Sequence, residues 1–142
     1  MREKLLSIIR GEMPDAILER MMSIATAPYA RANGIEPICL SVDEVRLRMP
    51  MEGKWNSLGL GHGAATFLLA DQTFAFAANM GPVPQVALNC QISYLRPVRG
   101  EEIRSRSRKL HEGRSTSLYE VSIYDGERLV AVMSCTGHKL RD

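Results

Sequence analysis

Four residues between positions 56 and 71 have types and spacing that suit carboxylate and oxyanion chemistry: Asn56, His62, Gly63 and Asp71. Asp71 is the single charged residue of an apolar stretch from 63 to 80. An ionised carboxylate in apolar surroundings is unfavourable unless it is paired or its pKa shifts, so it is a candidate for proton transfer or nucleophilic attack. The glycine-rich turn that contains His62 and Gly63 leaves backbone N–H groups open at the start of a helix, and these can bind a developing oxyanion.

Three of these residues also have a purely structural interpretation. Asp71 could cap a neighbouring loop or pair with an arginine from the sheet. His62 could be a loop residue satisfied by the backbone, and Asn56 could be a turn residue. The apolar residues of the same segment are interpreted mainly as core, with one face able to touch a substrate. They are Phe67, Leu68, Phe74 and Phe76.

The elements that must position these residues follow from the periodicity of the chain. Residues 1–13 predict a short amphipathic helix, and a second helix over 16–27 has Asp15 as its N-cap. A long central helix is predicted over 64–79. Alternating side chains predict one strand that begins near Ile38 and runs to Met49. Four further strands are predicted at 86–95, 101–110, 115–124 and 129–136.

The order of these elements predicts the fold. Consecutive strands with hairpin-length gaps favour an antiparallel sheet. A helix that is apolar on nearly all sides must be covered on most of them. We therefore expect an α+β domain in which a five-stranded antiparallel sheet wraps one buried helix. No linker or repeat is visible, so 1–142 is predicted to be one domain, with a helical extension at 1–27 and the core at 28–138.

Composition and charge limit the possible partners. The chain has 142 residues, 45% of them hydrophobic and 24% charged, which is enough for a core without disulfides or metal ions. A net charge of +2 does not point to nucleic acid or to a membrane. Residues 63–80 are long enough to span a bilayer, but polar residues such as Asp71 and Asn79 favour a buried core helix instead. The odd count of three scattered cysteines predicts reduced thiols in a cytoplasmic protein.

The spacing of the polar residues resembles that of a known family. The densest match is Asn56-x5-His62-Gly63-x7-Asp71, followed by the segment 89–97 and by Gly113-Arg114-Ser115. Residues 129–131 and Gly137-His138 fit as well. From about Pro28 to His138 the chain is similar to the hotdog-fold acyl-CoA thioesterases of the PaaI type.

The resemblance implies hydrolysis of acyl-CoA thioesters, with no cofactor and no metal ion. By this resemblance Asp71 acts as general base or nucleophile, and the Gly63 N–H polarises the thioester carbonyl. Asn56 and His62 help to position the water or the carbonyl. Substrate contacts are expected from Phe74, Ala87, Arg114 and Ser115.

Two positions depart from the pattern of the resembled family. Ala64 stands where a second glycine is usual, and Ala87 stands where some relatives carry Ser or Thr. The second departure bears on how the attacking water is held, while the central carboxylate is retained.

Helix geometry adds an expectation about assembly. Gly63 and Asp71 are eight residues apart, which is about 12 Å along a helix at about 1.5 Å per residue. Groups that act on one thioester carbon must lie within about 3 Å of the reacting atoms. We therefore expect Gly63 of one chain and Asp71 of another to share a site across a two-fold interface. The predicted assembly is a homodimer, with a homotetramer also expected.

A basic segment extends from 96 to 114, with seven basic and three acidic residues. Arg104, Arg106 and Arg108 alternate, so they share one face of a strand. The simplest interpretation is a solvated strand face. A second is attraction of CoA phosphates, chiefly through Arg114 and its neighbours. RNA binding ranks lowest because no aromatic residues are interleaved with the basic ones.

Two other functions on the same fold stay open. One is an acyl-thioester hydratase or dehydratase, although such enzymes pair a His with the acidic residue and no His lies in the segment of Asp71. The other is a non-catalytic module that binds acyl-CoA as a sensor. The product distinguishes the three functions. A thioesterase releases free thiol, a hydratase gives a hydrated ester, and a sensor module gives no product.

Overall fold

The computed structural model describes residues 1–141, which form four helices and six strands. In chain order they are α1 (Arg2–Ile8), α2 (Asp15–Ala25), α3 (Pro28–Ala32), β1 (Glu36–Leu40), β2 (Val45–Pro50), α4 (Gly63–Ala78), β3 (Gln85–Tyr94), β4 (Glu102–Glu112), β5 (Thr116–Asp125) and β6 (Arg128–Lys139). No helix within residues 1–141 is both long enough and apolar enough to cross a membrane.

All six strands belong to one antiparallel sheet in the order β1-β2-β4-β5-β6-β3. Strands β5 and β6 form the predicted hairpin, with Asp125 opposite Arg128. Gly126 in this turn has φ +62°, a left-handed conformation that glycine adopts without strain. The sheet has two edges, β1 and β3. They differ greatly in length, with five and ten residues respectively.

The central helix α4 lies against the sheet and is buried along most of its surface. Leu69, Phe74 and Phe76 are almost fully buried and meet the inward side chains of the sheet, such as Val121 and Met133. The helix ends where Asn79 links it to β3. The Asn79 side chain accepts from the Gln85 N–H and donates to the Gln85 and Ala75 carbonyl oxygens.

The N-terminal helices share this core. Leu5, Ile17, Leu18 and Met21 belong to the same buried cluster as α4. Arg20 of α2 donates to the Asn79 and Gly81 carbonyl oxygens, at 3.1 and 2.7 Å, where the negative end of the α4 dipole lies.

Three predicted elements are corrected by the structure. The sheet has six strands rather than five, because residues 36–50 form two strands around a turn at Ser41 to Glu44. Pro28 does not simply end α2. It occupies the first turn of a separate helix, α3, where proline is favoured. Helix α1 stops at Ile8, well before residue 13, and Ile9 instead bridges to Leu40 of the edge strand β1.

Candidate active site

The start of α4 presents a free backbone donor. His62 is the N-cap residue, and its Nδ1 accepts the Ala64 N–H at 3.1 Å. Its carbonyl oxygen accepts the N–H groups of Ala65 and Thr66. Within residues 1–141 the Gly63 N–H has no acceptor. It therefore remains available at the positive end of the helix dipole.

The cap also determines the state of the His62 ring. Because Nδ1 accepts a hydrogen bond, the neutral ring carries its proton on Nε2. The side chain is exposed, so this Nε2–H can donate to a ligand. The sequence allows His62 to be either a loop residue satisfied by the backbone or a site residue. In the structure it is a loop residue that caps α4. Its role in a site stays a prediction.

Asn56 organises the loop that leads into α4. Its Oδ1 accepts the N–H groups of Leu58 and Leu60, at 2.9 and 3.0 Å, and its own N–H donates to the Leu60 carbonyl oxygen at 2.7 Å. Within residues 1–141 its side-chain amide nitrogen has no acceptor. Asn56 is therefore a turn residue that keeps one donor for a ligand.

A cleft of about 320 Å³ lies beside the free Gly63 N–H. Its lining includes Asn56, Gly63, Thr66, Tyr94 and Val130. The Tyr94 hydroxyl donates to the Gly63 carbonyl oxygen at 3.0 Å. Tyr94 is a contact that the sequence did not assign. It belongs to the strand segment that carried the family resemblance, but the residue type alone does not show that it reaches α4.

Asp71 lies two turns further along α4. Within residues 1–141 it makes no hydrogen bond and no ion pair, so neither structural interpretation of this carboxylate is seen. Its side chain is half-buried, and burial raises the pKa of this carboxyl above its ordinary value. It shares a partly exposed stripe of the helix with Phe67, Leu68, Gln72 and Ala75. Gln72 donates to the Ile24 carbonyl oxygen at 3.0 Å, so α2 borders one side of this stripe.

The four predicted substrate contacts lie away from this cleft in the single chain. The Phe74 ring is 2% exposed and packs edge-on against Tyr119 at 5.8 Å, inside the core. Ala87 is exposed near the beginning of β3. Arg114 and Ser115 are exposed in the β4–β5 turn. Their contact with a substrate stays a prediction.

The alternating arginines of β4 form a solvated, ion-paired face. Arg104 pairs with Glu102 at 2.8 Å, Arg106 with Glu44 at 2.7 Å and Arg108 with Glu120 at 3.3 Å. These pairs neutralise much of the positive charge predicted for the segment. No group of three or more His, Cys, Asp or Glu side chains within residues 1–141 could hold a metal ion.

One antiparallel sheet around a single buried helix is the architecture of the hotdog fold. The structure of the PaaI protein of Escherichia coli superposes with a TM-score of 0.83, covering 92% of this chain and 97% of that one at 24% identity. The conserved protein PA5202 of Pseudomonas aeruginosa superposes with a TM-score of 0.78 over 83% of this chain and 98% of that one, at 31% identity.

Sequence comparison gives the family. The model of the thioesterase superfamily matches residues 58–132, which include the start of α4 and Asp71. The chain belongs to the thioesterase superfamily. Its relatives include the acyl-coenzyme A thioesterase PaaI of Escherichia coli strain K12, which is 32% identical over 81 residues. That alignment spans 56% of this chain and 58% of the length of the relative.

Proposed function

We propose that the protein hydrolyses acyl-CoA thioesters, with the Asp71 carboxylate as base or nucleophile and the Gly63 N–H as oxyanion donor. The observation that carries this proposal is the unpaired, half-buried carboxylate on a helix whose first N–H is also free. Membership of the thioesterase superfamily and the name of the Escherichia coli relative support a thioester as the substrate.

The proposed reaction uses these two groups in one step. Asp71 accepts a proton from a water molecule as the water oxygen attacks the thioester carbon, or its own oxygen attacks and water then hydrolyses the anhydride. The carbonyl oxygen becomes an oxyanion and accepts the Gly63 N–H, aided by the helix dipole. The C–S bond then breaks, and CoA leaves as a thiolate that needs little help from a general acid. A raised pKa makes Asp71 a stronger base than an exposed Asp.

Asn56 and His62 supply positioning donors in this scheme. Asn56 lines the same cleft as Gly63, whereas His62, at the same helix start, lines a second cleft with Trp55 and Leu68. Both groups donate rather than accept, which suits them to hold a carbonyl oxygen or a water oxygen.

The proposed site needs two chains. Gly63 and Asp71 lie on one continuous helix, eight residues apart, so about 12 Å of helix separates them. A single thioester carbon cannot lie within about 3 Å of both groups of the same chain. We therefore place Gly63 of one protomer opposite the partner's Asp71.

Strand β3 supplies a surface for this assembly. It has ten residues and pairs only with β6, so the N–H and C=O groups of its other edge are unpaired. Apolar side chains are exposed along it, with Leu88 at 63% and Tyr94 at 54%. The opposite edge, β1, has only five residues, includes Pro37 and is bridged by Ile9. A two-fold axis at β3 pairs two copies of this strand antiparallel.

Such pairing also brings three of the predicted substrate contacts, Ala87, Arg114 and Ser115, toward the site. Tyr94, at the end of β3, lies beside Gly63, whereas Gln85, at its beginning, lies opposite Lys139. The Lys139 N–H donates to the Ser115 carbonyl oxygen at 2.9 Å, so Ala87, Arg114 and Ser115 all belong to the Gln85 end. Antiparallel pairing places this end of one chain near the Gly63 end of the other. Arg114 is then in a position to attract the phosphates of CoA.

A panel of acyl-CoA esters tests the proposed function. Free thiol and free acid are expected in equal amounts from at least one ester. A hydrated ester without thiol release would replace the proposal with a hydratase. Binding of the esters without turnover would replace it with a sensor module.

A further inference from the structure

Two of the three cysteines meet across neighbouring strands. Cys90 of β3 and Cys135 of β6 are directly opposed in the register of the sheet. Their Sγ atoms are 2.6 Å apart and both thiols are free. A disulfide bond measures about 2.0 Å, so the two sulfurs need to approach by only about 0.6 Å. The Cα atoms of directly opposed residues in an antiparallel sheet lie about 4.5–5.5 Å apart, within the range that a disulfide spans. A small movement is therefore enough to join the two sulfurs.

The two thiols differ in access. Cys135 is fully buried, whereas Cys90 is partly exposed beside the core. Burial, the Cys90 thiol and the negative charge of Asp71 together raise the pKa of Cys135, so it stays protonated at neutral pH. A small reagent therefore reaches Cys90 first. Cys135 is the less reactive thiol, and it can meet the product only because its sulfur lies 2.6 Å from that of Cys90 and gives up its proton as it attacks.

The third cysteine is isolated from this pair. Cys39 is buried in β1, at the opposite edge of the sheet from β3. It is therefore an internal control for thiol chemistry that does not depend on the cross-strand geometry.

We propose that Cys90 and Cys135 form a reversible disulfide, with a hydroperoxide as the oxidant. The Cys90 thiolate attacks the peroxide oxygen, the O–O bond breaks, and a sulfenic acid and an alcohol or water result. The Cys135 sulfur then attacks the Cys90 sulfur, the S–O bond breaks, and water leaves. The two sulfurs together lose two electrons and two protons, and the peroxide is reduced.

The disulfide would link the edge strand β3, which contains Ala87, covalently to β6. Within residues 1–141 of one chain, β3 has β6 as its single neighbour in the sheet. The two cysteines are 45 residues apart in sequence, and a cross-link of that span restricts the unfolded chain. Oxidation should therefore raise the melting temperature. This inference does not depend on the proposed hydrolysis.

The test treats the full-length protein with hydrogen peroxide and then alkylates the remaining thiols. In the wild type, alkylated cysteines should fall from three to one, and a peptide joining Cys90 to Cys135 should appear in the mass spectrum. The melting temperature should rise, and dithiothreitol should reverse both changes. Cys39→Ser should behave in the same way. Cys90→Ser and Cys135→Ser should form no linked peptide and show no rise in melting temperature.

Three results would overturn the proposal. The first is three alkylated cysteines after peroxide treatment. The second is oxidation of Cys90 to a sulfinic acid in place of the linked peptide. The third is a covalent dimer on a non-reducing gel, which would mean that Cys90 reacts with its copy in a second chain. All three are read by mass or by gel, so none depends on catalytic activity.

Discussion

Replacing Gly63 by proline removes the proposed oxyanion donor while leaving the helix start intact. His62 has φ −66° and ψ 134°, the extended conformation that a residue before proline prefers. Gly63 is the first residue of α4, where proline is favoured because this N–H has no partner within the helix. The substitution therefore tests the N–H group with little change in the backbone.

The expected loss is large because the donor is aimed at a developing charge. Removal of one oxyanion donor typically lowers kcat by about 10²–10³-fold, or about 2.7–4 kcal/mol. Gly63→Ala is the matched control, since it keeps the N–H and adds the same Cβ. That Cβ would lie 3.3 Å from the Tyr94 ring, a tight contact that an exposed side chain can relieve.

The assay is thiol release with both variants under saturating substrate, with circular dichroism as a check on folding. Gly63→Pro should lose kcat, whereas Gly63→Ala should keep most of it. Equal kcat for folded Gly63→Pro and Gly63→Ala would refute the assignment of this N–H to the oxyanion.

The same variant tests the two-chain arrangement. A dimer of Gly63→Pro with Asp71→Asn contains one site with both groups intact and one site with neither. In a random equal mixture half of the dimers are mixed, so about a quarter of wild-type activity should return after subunit exchange. If each site belonged to one chain, no activity would return.

Four further predictions concern three single residues. Because burial raises the pKa of Asp71, kcat/KM should fall on acidification at a pH above the ordinary range for Asp, as measured in a pH–rate profile. The same raised pKa means that the folded state binds this proton more tightly. Below the ordinary pKa of Asp, the wild type should therefore match Asp71→Asn in stability. As the pH rises through the folded pKa of Asp71, the wild type should become less stable than this variant. Thermal melts across this pH range measure the difference. Asn56→Asp keeps the oxygen that accepts the loop N–H groups but loses the amide donor, so kcat/KM should fall while the melting temperature stays unchanged. Asn56→Ala should lower both kcat/KM and the melting temperature. Arg20→Ala should lower the free energy of unfolding by about 1.5–3 kcal/mol through the lost charged hydrogen bonds at the end of α4, whereas exposed Arg31→Ala should have little effect in denaturant melts.

The parts of the fold that carry strong periodicity could be predicted from the sequence. Helix α4 is observed over Gly63–Ala78, within one residue of the prediction, because a glycine turn precedes it and prolines follow it. The last four strands have ten to twelve residues each, and the sequence predicts them with errors of one to three residues at their ends. Strand β1 has only five residues and contains a proline, so its alternation is too short to separate it from β2.

The arrangement of side chains around α4 could not be predicted in the same way. A helix that is apolar on all sides gives no sign of which face meets the sheet, so the sequence does not show that the Phe74 ring packs in the core. Pairing between β3 and β6 depends on strand order, so the contact of Cys90 with Cys135 was hidden in a sequence where cysteines seemed scattered. The absence of any partner for Asp71 likewise depends on which residues surround the helix.

Thiol release from a panel of acyl-CoA esters by wild type, Asp71→Asn and Asp71→Ala is the most direct test of the proposed carboxylate. Wild type should release CoA, and both variants should lose about 10²–10⁴-fold in kcat/KM while they stay folded and keep the wild-type oligomeric state. Full activity in either folded variant would show that Asp71 is not the base or nucleophile, and that the reacting group lies elsewhere in the chain.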